Sequence, residues 1–108
     1  MPQDSIIVGG QRVAVEYAHS LLSYAGAGRL FSDHHTAWAE TESGLLRRYF
    51  AHACEVARLL RQTGNLVLDH SGLMTRLSED GERAQVVPVA LSRSGRDLLD
   101  ALDVDSLG

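Results

Sequence analysis

The sequence contains one cysteine, Cys54, and no lysine. A single cysteine excludes an internal disulfide and suits a reducing cytoplasm. All ten basic residues are arginines, which is typical of a protein from a GC-rich genome. No apolar run approaches the roughly 18 residues that a membrane-spanning helix needs, and the first ten residues lack the basic and apolar regions of a secretory signal. We therefore expect a cytoplasmic protein without a membrane segment.

Catalytic motifs are missing as well. The chain has no nucleophile elbow, no phosphate-cradling glycine loop and no HExxH pattern. Its glycine pair at 26–28 is too short to be a nucleotide-binding fingerprint. We therefore expect a protein that is not an enzyme and that carries no cofactor.

The composition predicts one folded domain over residues 1–108. Hydrophobic residues make up 44% and charged residues 22% of the chain, as in ordinary globular proteins. The net charge of −4 disfavours general binding to nucleic acid, because that binding depends on neutralising phosphates. The charge is uneven, however. Residues 43–63 carry four arginines against Glu55 alone, whereas the segments on either side are acidic.

Hydrophobic periodicity predicts mostly helices in the first two thirds of the chain. Residues 14–25 have apolar positions at helical spacing, although the alternation over 13–17, after a glycine pair, is also compatible with a hairpin. A short helix is predicted over 33–40. The strongest amphipathic pattern predicts a helix over 43–63 that ends at Gly64.

The C-terminal third predicts a β-hairpin followed by a helix. Strand-like runs over 73–77 and 84–91 flank a polar turn at 78–82. Pro88 has no backbone N–H, so we expect the second strand at a sheet edge. Ser92 is a suitable N-cap for the helix that follows.

This C-terminal part, residues 72–108, resembles the wing and post-wing helix of winged helix-turn-helix regulators of the MarR type. The stretches that carry the resemblance are "GLMTRL", "SEDGERAQ", "VVPVAL" and "SRSGRDLLDAL". The matching positions are Gly72, Leu73, Leu91, Ser92, Gly95, Arg96, Leu98 and Leu99. The resemblance implies a mainly α-helical winged helix-turn-helix domain with a small β-hairpin, in a bacterial transcriptional regulator that acts as a dimer.

Within that fold, the basic segment predicts a DNA-binding surface. One helix of the 44–70 region would enter the major groove of double-stranded DNA. The predicted DNA-contacting residues are Arg47, Arg48, Arg58, Arg61 and Arg83. Arg47, Arg58 and Arg61 are also compatible with a solvated helix face, whereas Arg83 would approach the DNA backbone from the wing. We expect a homodimer, because one such module buries too little surface for strong specificity.

Two other functions stay open. The acidic ends of the chain favour a winged-helix-like protein–protein interaction module without DNA binding. A metal-sensing regulator would draw its ligands from His34, His35, His52 and Cys54. A zinc site needs about four converging ligands, whereas neighbouring histidines on a helix point about 100° apart. Cys54 is therefore expected to be a small buried hydrophobe, and Trp38 a core residue between two helices.

Overall fold

A curled, six-stranded antiparallel sheet is the framework of this protein. The structure is a computed structural model that describes residues 4–107. The strands are β1 (Ser5–Val8), β2 (Gln11–Ala14), β3 (Leu30–Ser32), β4 (Ala37–Glu40), β5 (Leu46–Arg48), β6 (Leu66–Leu68), β7 (Met74–Leu77) and β8 (Arg83–Leu91). The helices are α1 (Val15–Gly26), α2 (Ala51–Gln62) and α3 (Arg93–Leu107), with a 3₁₀ turn at His70–Gly72. The prediction of a mainly α-helical winged helix-turn-helix domain with a small hairpin is therefore wrong.

The strand order of the sheet is β5-β4-β3-β8-β6, and β7 pairs with β8 beside β6. Along that edge, β7 pairs with residues 83–86 of β8 and β6 pairs with residues 89–91. The other two strands, β1 and β2, form a separate hairpin. None of the helices within residues 4–107 is long and apolar enough to cross a membrane.

At the N-terminus, the preferred helix and its hairpin alternative are each correct over different residues. β1 and β2 form an antiparallel hairpin whose turn is the glycine pair Gly9 and Gly10, with φ angles of 59° and 80°. Both angles are positive, as a tight two-residue hairpin turn of the I′ kind requires. The helix α1 then begins at Val15.

Of two predicted helices, the one over 33–40 is wrong, and the one over 43–63 is confirmed only from Ala51 onward, as α2. The segment 33–40 is a loop followed by β4, and the start of the helix predicted over 43–63 contains β5. Ala37, Trp38 and Ala39 are all buried, and a strand covered on both faces lacks the alternation that marks a strand in the sequence. Gly64 does end α2, with a φ of 77°.

The hairpin of β7 and β8 confirms the two strands predicted over 73–77 and 84–91. The expected edge position of Pro88 is wrong, because β8 is an internal strand in which Pro88 faces Phe31 of β3. The carbonyl of Pro88 accepts from the N–H of Asp69 at 2.9 Å. The proline nitrogen lies on that same side of β8, beside the 3₁₀ turn that separates β6 from β7. No ladder hydrogen bond is needed at that break, so the missing N–H is tolerated.

Side chains on the two faces of the sheet enter two different hydrophobic clusters. One face, which includes Leu30 and Val89, packs against the helices. On the other face, the curl of the sheet encloses a smaller cluster of Phe31, Trp38, Leu46 and Val86. Trp38 is therefore a core residue, as expected, but it lies inside the curl rather than between two helices.

Candidate functional site

The five arginines predicted to contact DNA lie on three different elements. Arg47 and Arg48 are on β5, Arg58 and Arg61 are on α2, and Arg83 is the first residue of β8. The helix predicted over 43–63 would have carried the first four together, but it begins only at Ala51, so Arg47 and Arg48 lie on a strand instead. Their contact with DNA stays a prediction.

The two arginines of β5 bind the acidic turn between β7 and β8. Arg47 donates through two nitrogens to Glu79, each at 3.2 Å. Arg48 lies 3.6 Å from Glu82, and its guanidinium is 4.9 Å from the centre of the Trp38 ring. Two acids of this turn, which the resemblance assigns to the wing, are thus the partners of two arginines predicted to contact DNA.

A third ion pair joins the same two hairpins. Arg76 of β7 lies 3.3 Å from the carboxylate of Glu40 and donates to the carbonyl of Gly44 at 3.0 Å. Its guanidinium covers the ring of Phe31, 4.9 Å from the ring centre. We call this contact between the β4–β5 hairpin and the β7–β8 hairpin the seam. The seam closes the smaller hydrophobic cluster with arginine side chains.

The third paired arginine of the predicted set is on α2. Arg58 donates to Glu55 one turn earlier, with Nε 3.0 Å from Oε2. This hydrogen bond lowers the pKa of Glu55 and raises the pKa of Arg58. The hydrogen bonds to Glu79 likewise raise the pKa of Arg47. Arg47, Arg48 and Arg58 are thus each paired with a glutamate of the same chain.

Two of the four candidate metal ligands, Cys54 and His52, make other contacts. The thiol of Cys54 donates to the carbonyl of Tyr49 and accepts from the N–H of Ala37, both at 3.4 Å. The ring of His52 packs edge-on against Tyr17, 5.4 Å away. Within residues 4–107, no three His, Cys, Asp or Glu side chains converge where a metal ion could be held.

Beside the C-terminal half of α2, the sheet is left uncovered and a groove of about 410 Å³ opens. Binding cavities are typically about 300–1,000 Å³, so this volume is sufficient for a ligand. We call it the α2 groove. It is lined by Ser32, Asp33, His34, Arg61, Leu68, His70, Leu73, Gln85 and Val87.

The apolar part of the α2 groove continues onto the surface of β7. Leu73, which immediately precedes β7, lines the groove. Leu77 at the end of β7 points to the same side, because side chains two and four residues apart on extended backbone share a face. Leu73 is 64% exposed and Leu77 47% exposed. The groove is therefore one end of a longer exposed surface, on which Thr75 separates the two leucines.

The carboxylate and the guanidinium that line the α2 groove differ in whether they have partners within the chain. Asp33 accepts hydrogen bonds from the N–H groups of His35 and Thr36, at 2.9 and 2.6 Å, and from the indole of Trp38 at 3.1 Å. Arg61 is half-buried, and among the described residues its guanidinium has no hydrogen bond or ion pair. The groove thus contains one satisfied carboxylate and one unpaired cation.

Comparison of the chain with models of protein families, with curated proteins and with solved structures finds no match, and nothing in it identifies a winged-helix family.

A signal for Arg61 is present in the sequence. Arg58 has Glu55 three residues before it, whereas no acid lies three or four residues from Arg61 in either direction. Because such neighbours are the ones that pair on a helix surface, local ion pairing predicts that these two arginines differ. The rest of the groove comes from distant segments and has no local signature.

Proposed function

We propose that this chain is a protein–protein interaction module that binds a segment of a partner protein in the α2 groove and along β7. The exposed apolar side chains of Leu73 and Leu77 are the observation that carries the proposal. Burying apolar surface contributes about 25 cal/mol per Å², and Leu73 adds to the apolar lining that Leu68 and Val87 give the groove. The acidic ends of the sequence also favoured an interaction module that does not bind DNA. That function is proposed here, but on a curled-sheet fold in place of a winged helix.

A protein partner fits this surface better than the other ligands considered. The chain has a net charge of −4, and Arg47, Arg48 and Arg58 are each already paired with a glutamate. A small molecule would fill the groove but leave Leu77 exposed. Binding to double-stranded DNA as a dimeric regulator stays a prediction that has lost its structural basis.

A cytoplasmic location is part of the proposal. The thiol of Cys54 is free and only partly buried, which suits a reducing compartment. Export of the chain in a secreted fraction would contradict this location.

A displayed library of random 16-residue peptides, selected on the purified protein, tests the interaction module. The groove-blocking variant is Gln85→Trp, because Gln85 is exposed on the floor of the groove. The matched control is Ala90→Trp, an exposed position on the opposite face of the same strand. Circular dichroism shows whether both variants keep the fold.

The proposal expects selected peptides to bind Ala90→Trp as they bind the unmodified protein, and to bind Gln85→Trp at least about tenfold more weakly, a loss of about 1.4 kcal/mol. Peptides that bind both variants equally, or a selection that enriches none, would contradict it. A mixed-sequence DNA duplex is tested in parallel. Retention of that duplex, weakening steeply with salt, would favour the regulator instead.

A further inference from the structure

We infer that the α2 groove selects an acidic segment, in which an Asp or Glu carboxylate pairs with Arg61 while a neighbouring apolar side chain lies against Leu73 and Val87. This inference rests on the proposed function, since it names the chemistry of the partner for the same groove. It depends on the difference between Arg61 and the arginines that already have partners.

The guanidinium of Arg61 is positioned to receive an anion. It has five N–H donors in a planar fork that matches a carboxylate. Arg47, Arg48, Arg58 and Arg76 each contact a glutamate, whereas Arg61 contacts no acid among the described residues. A partly buried charge gains more from a counter-ion than an exposed one, because water screens it less. An incoming carboxylate would supply that counter-ion.

The acid already in the groove does not take this role. Both oxygens of Asp33 accept hydrogen bonds from its own loop and from Trp38. Asp33 is not within ion-pair distance of Arg61. The carboxylate is therefore held toward the loop and leaves the charge of Arg61 uncompensated.

The other polar side chains of the groove favour the same ligand. His34 and His70 offer ring N–H donors, and Gln85 offers an amide N–H₂ on the floor. Leu68, Leu73 and Val87 supply the apolar part of the lining. Charge complementarity thus favours an occupant that combines a carboxylate with an apolar side chain, as an acidic amphipathic peptide segment does.

The test uses the peptide selection described above, repeated on Arg61→Gln. The matched control is Arg93→Gln, which removes an exposed arginine at the start of α3, outside the groove lining. One selected peptide with an acidic residue is then synthesised, together with a twin in which that Glu or Asp is replaced by Gln or Asn. The affinities of both peptides are measured on all three proteins.

Peptides selected on the unmodified protein and on Arg93→Gln are expected to be enriched in Asp and Glu, and those selected on Arg61→Gln are not. The acidic peptide is expected to bind about 10- to 100-fold more tightly than its neutral twin, and this preference disappears in Arg61→Gln.

Peptides that are blocked by Gln85→Trp but show no acidic preference would overturn this inference and leave the proposed function standing. The absence of any groove-dependent peptide would overturn both. Self-association of the protein that Arg61→Gln abolishes would assign the groove to a second copy and contradict a separate partner.

Discussion

The two faces of the sheet are closed in different ways. On the helix-facing side, aliphatic side chains such as Leu21, Leu22 and Leu60 are completely buried against the sheet. On the curled side, Phe31 and Trp38 are covered by the guanidinium groups of arginines. The first face is closed by apolar packing and the second by cations held in ion pairs.

This difference shows why a cluster of arginines in a sequence is a weak sign of a ligand site. In an extended arginine, the apolar stem covers hydrophobic surface while the charged head stays at the solvent. Arg48 and Arg76 do this in the seam, where each guanidinium lies over an aromatic ring and pairs with a glutamate of the same chain. Arg61, on the other side of the sheet, is the arginine of the predicted set that is both half-buried and unpaired among the described residues.

The largest expected effect comes from removing one buried leucine from each side. Leu60 and Leu46 are both 0% exposed, in the helix-side and curl clusters respectively. We expect Leu60→Ala to lower the free energy of unfolding by about 4 kcal/mol and Leu46→Ala by about 2–3 kcal/mol, within the range for such truncations. The curl loses less because the arginine side chains that cover it can settle into the space. Denaturant unfolding of both variants measures the two losses, and equal losses would mean that the curl is packed as rigidly as the helix side.

A second variant tests how closely the helix side is packed. A Cβ built on Gly95 of α3 lies 2.0 Å from the carbonyl oxygen of Asn65, so Gly95→Ala requires a backbone shift. We expect a loss of about 1–3 kcal/mol, although alanine in an exposed helix interior is the better residue by about 1 kcal/mol. Thermal unfolding measures it. The control is Gly26→Ala, whose Cβ meets only flexible ends of side chains, the nearest at 3.1 Å. A Gly95→Ala variant as stable as the control would show that α3 has room to move.

The features that the sequence predicts correctly are those with local causes. The strands of the β7–β8 hairpin follow from alternation beside a polar turn. Ser92 acts as the predicted N-cap, since its hydroxyl accepts from the N–H of Gly95 at 3.0 Å. Gly64 ends α2 because glycine adopts a positive φ without strain.

The features that the sequence does not predict depend on distant partners. Arg47 and Glu79 are 32 positions apart, and no local rule connects them. The buried run at 37–39 is equally compatible with a helix until the curl of the sheet is known. The α2 groove was not predicted for the same reason, because its floor belongs to β3, β6 and β8 together.

The seam itself is tested by two double-mutant cycles. Arg76 and Glu40 have side chains that are 23% and 28% exposed, whereas those of Arg47 and Glu79 are 68% and 38% exposed. We expect a coupling energy of about 1 kcal/mol for Arg76→Gln with Glu40→Gln, and about 0.3 kcal/mol for Arg47→Gln with Glu79→Gln, because water screens the exposed pair. Unfolding free energies of the single and double variants give both values. A larger coupling energy for Arg47 and Glu79 than for Arg76 and Glu40 would contradict the expectation that the less exposed pair stabilises the seam more.

The smallest expected effect is a change with pH at Asp33, where the two regions meet. Partial burial acts to raise the pKa of Asp33, but the hydrogen bonds from His35, Thr36 and Trp38 outweigh it and hold the pKa below its ordinary value. A carboxylate with a lowered pKa stabilises the fold above its unfolded-state pKa of about 3.9, and this stabilisation is lost as the pH falls through the folded-state pKa. Asp33→Asn is therefore expected to be less stable than the unmodified protein from pH 5 to 7, with a difference in unfolding free energy that shrinks below about pH 4.

The matched control is Asp80→Asn, in the exposed turn between β7 and β8. Because Asp33 joins the indole of the curl cluster to the rim of the α2 groove, a difference that stays constant down to pH 3 would mean that its ionised form does not fasten the two regions together.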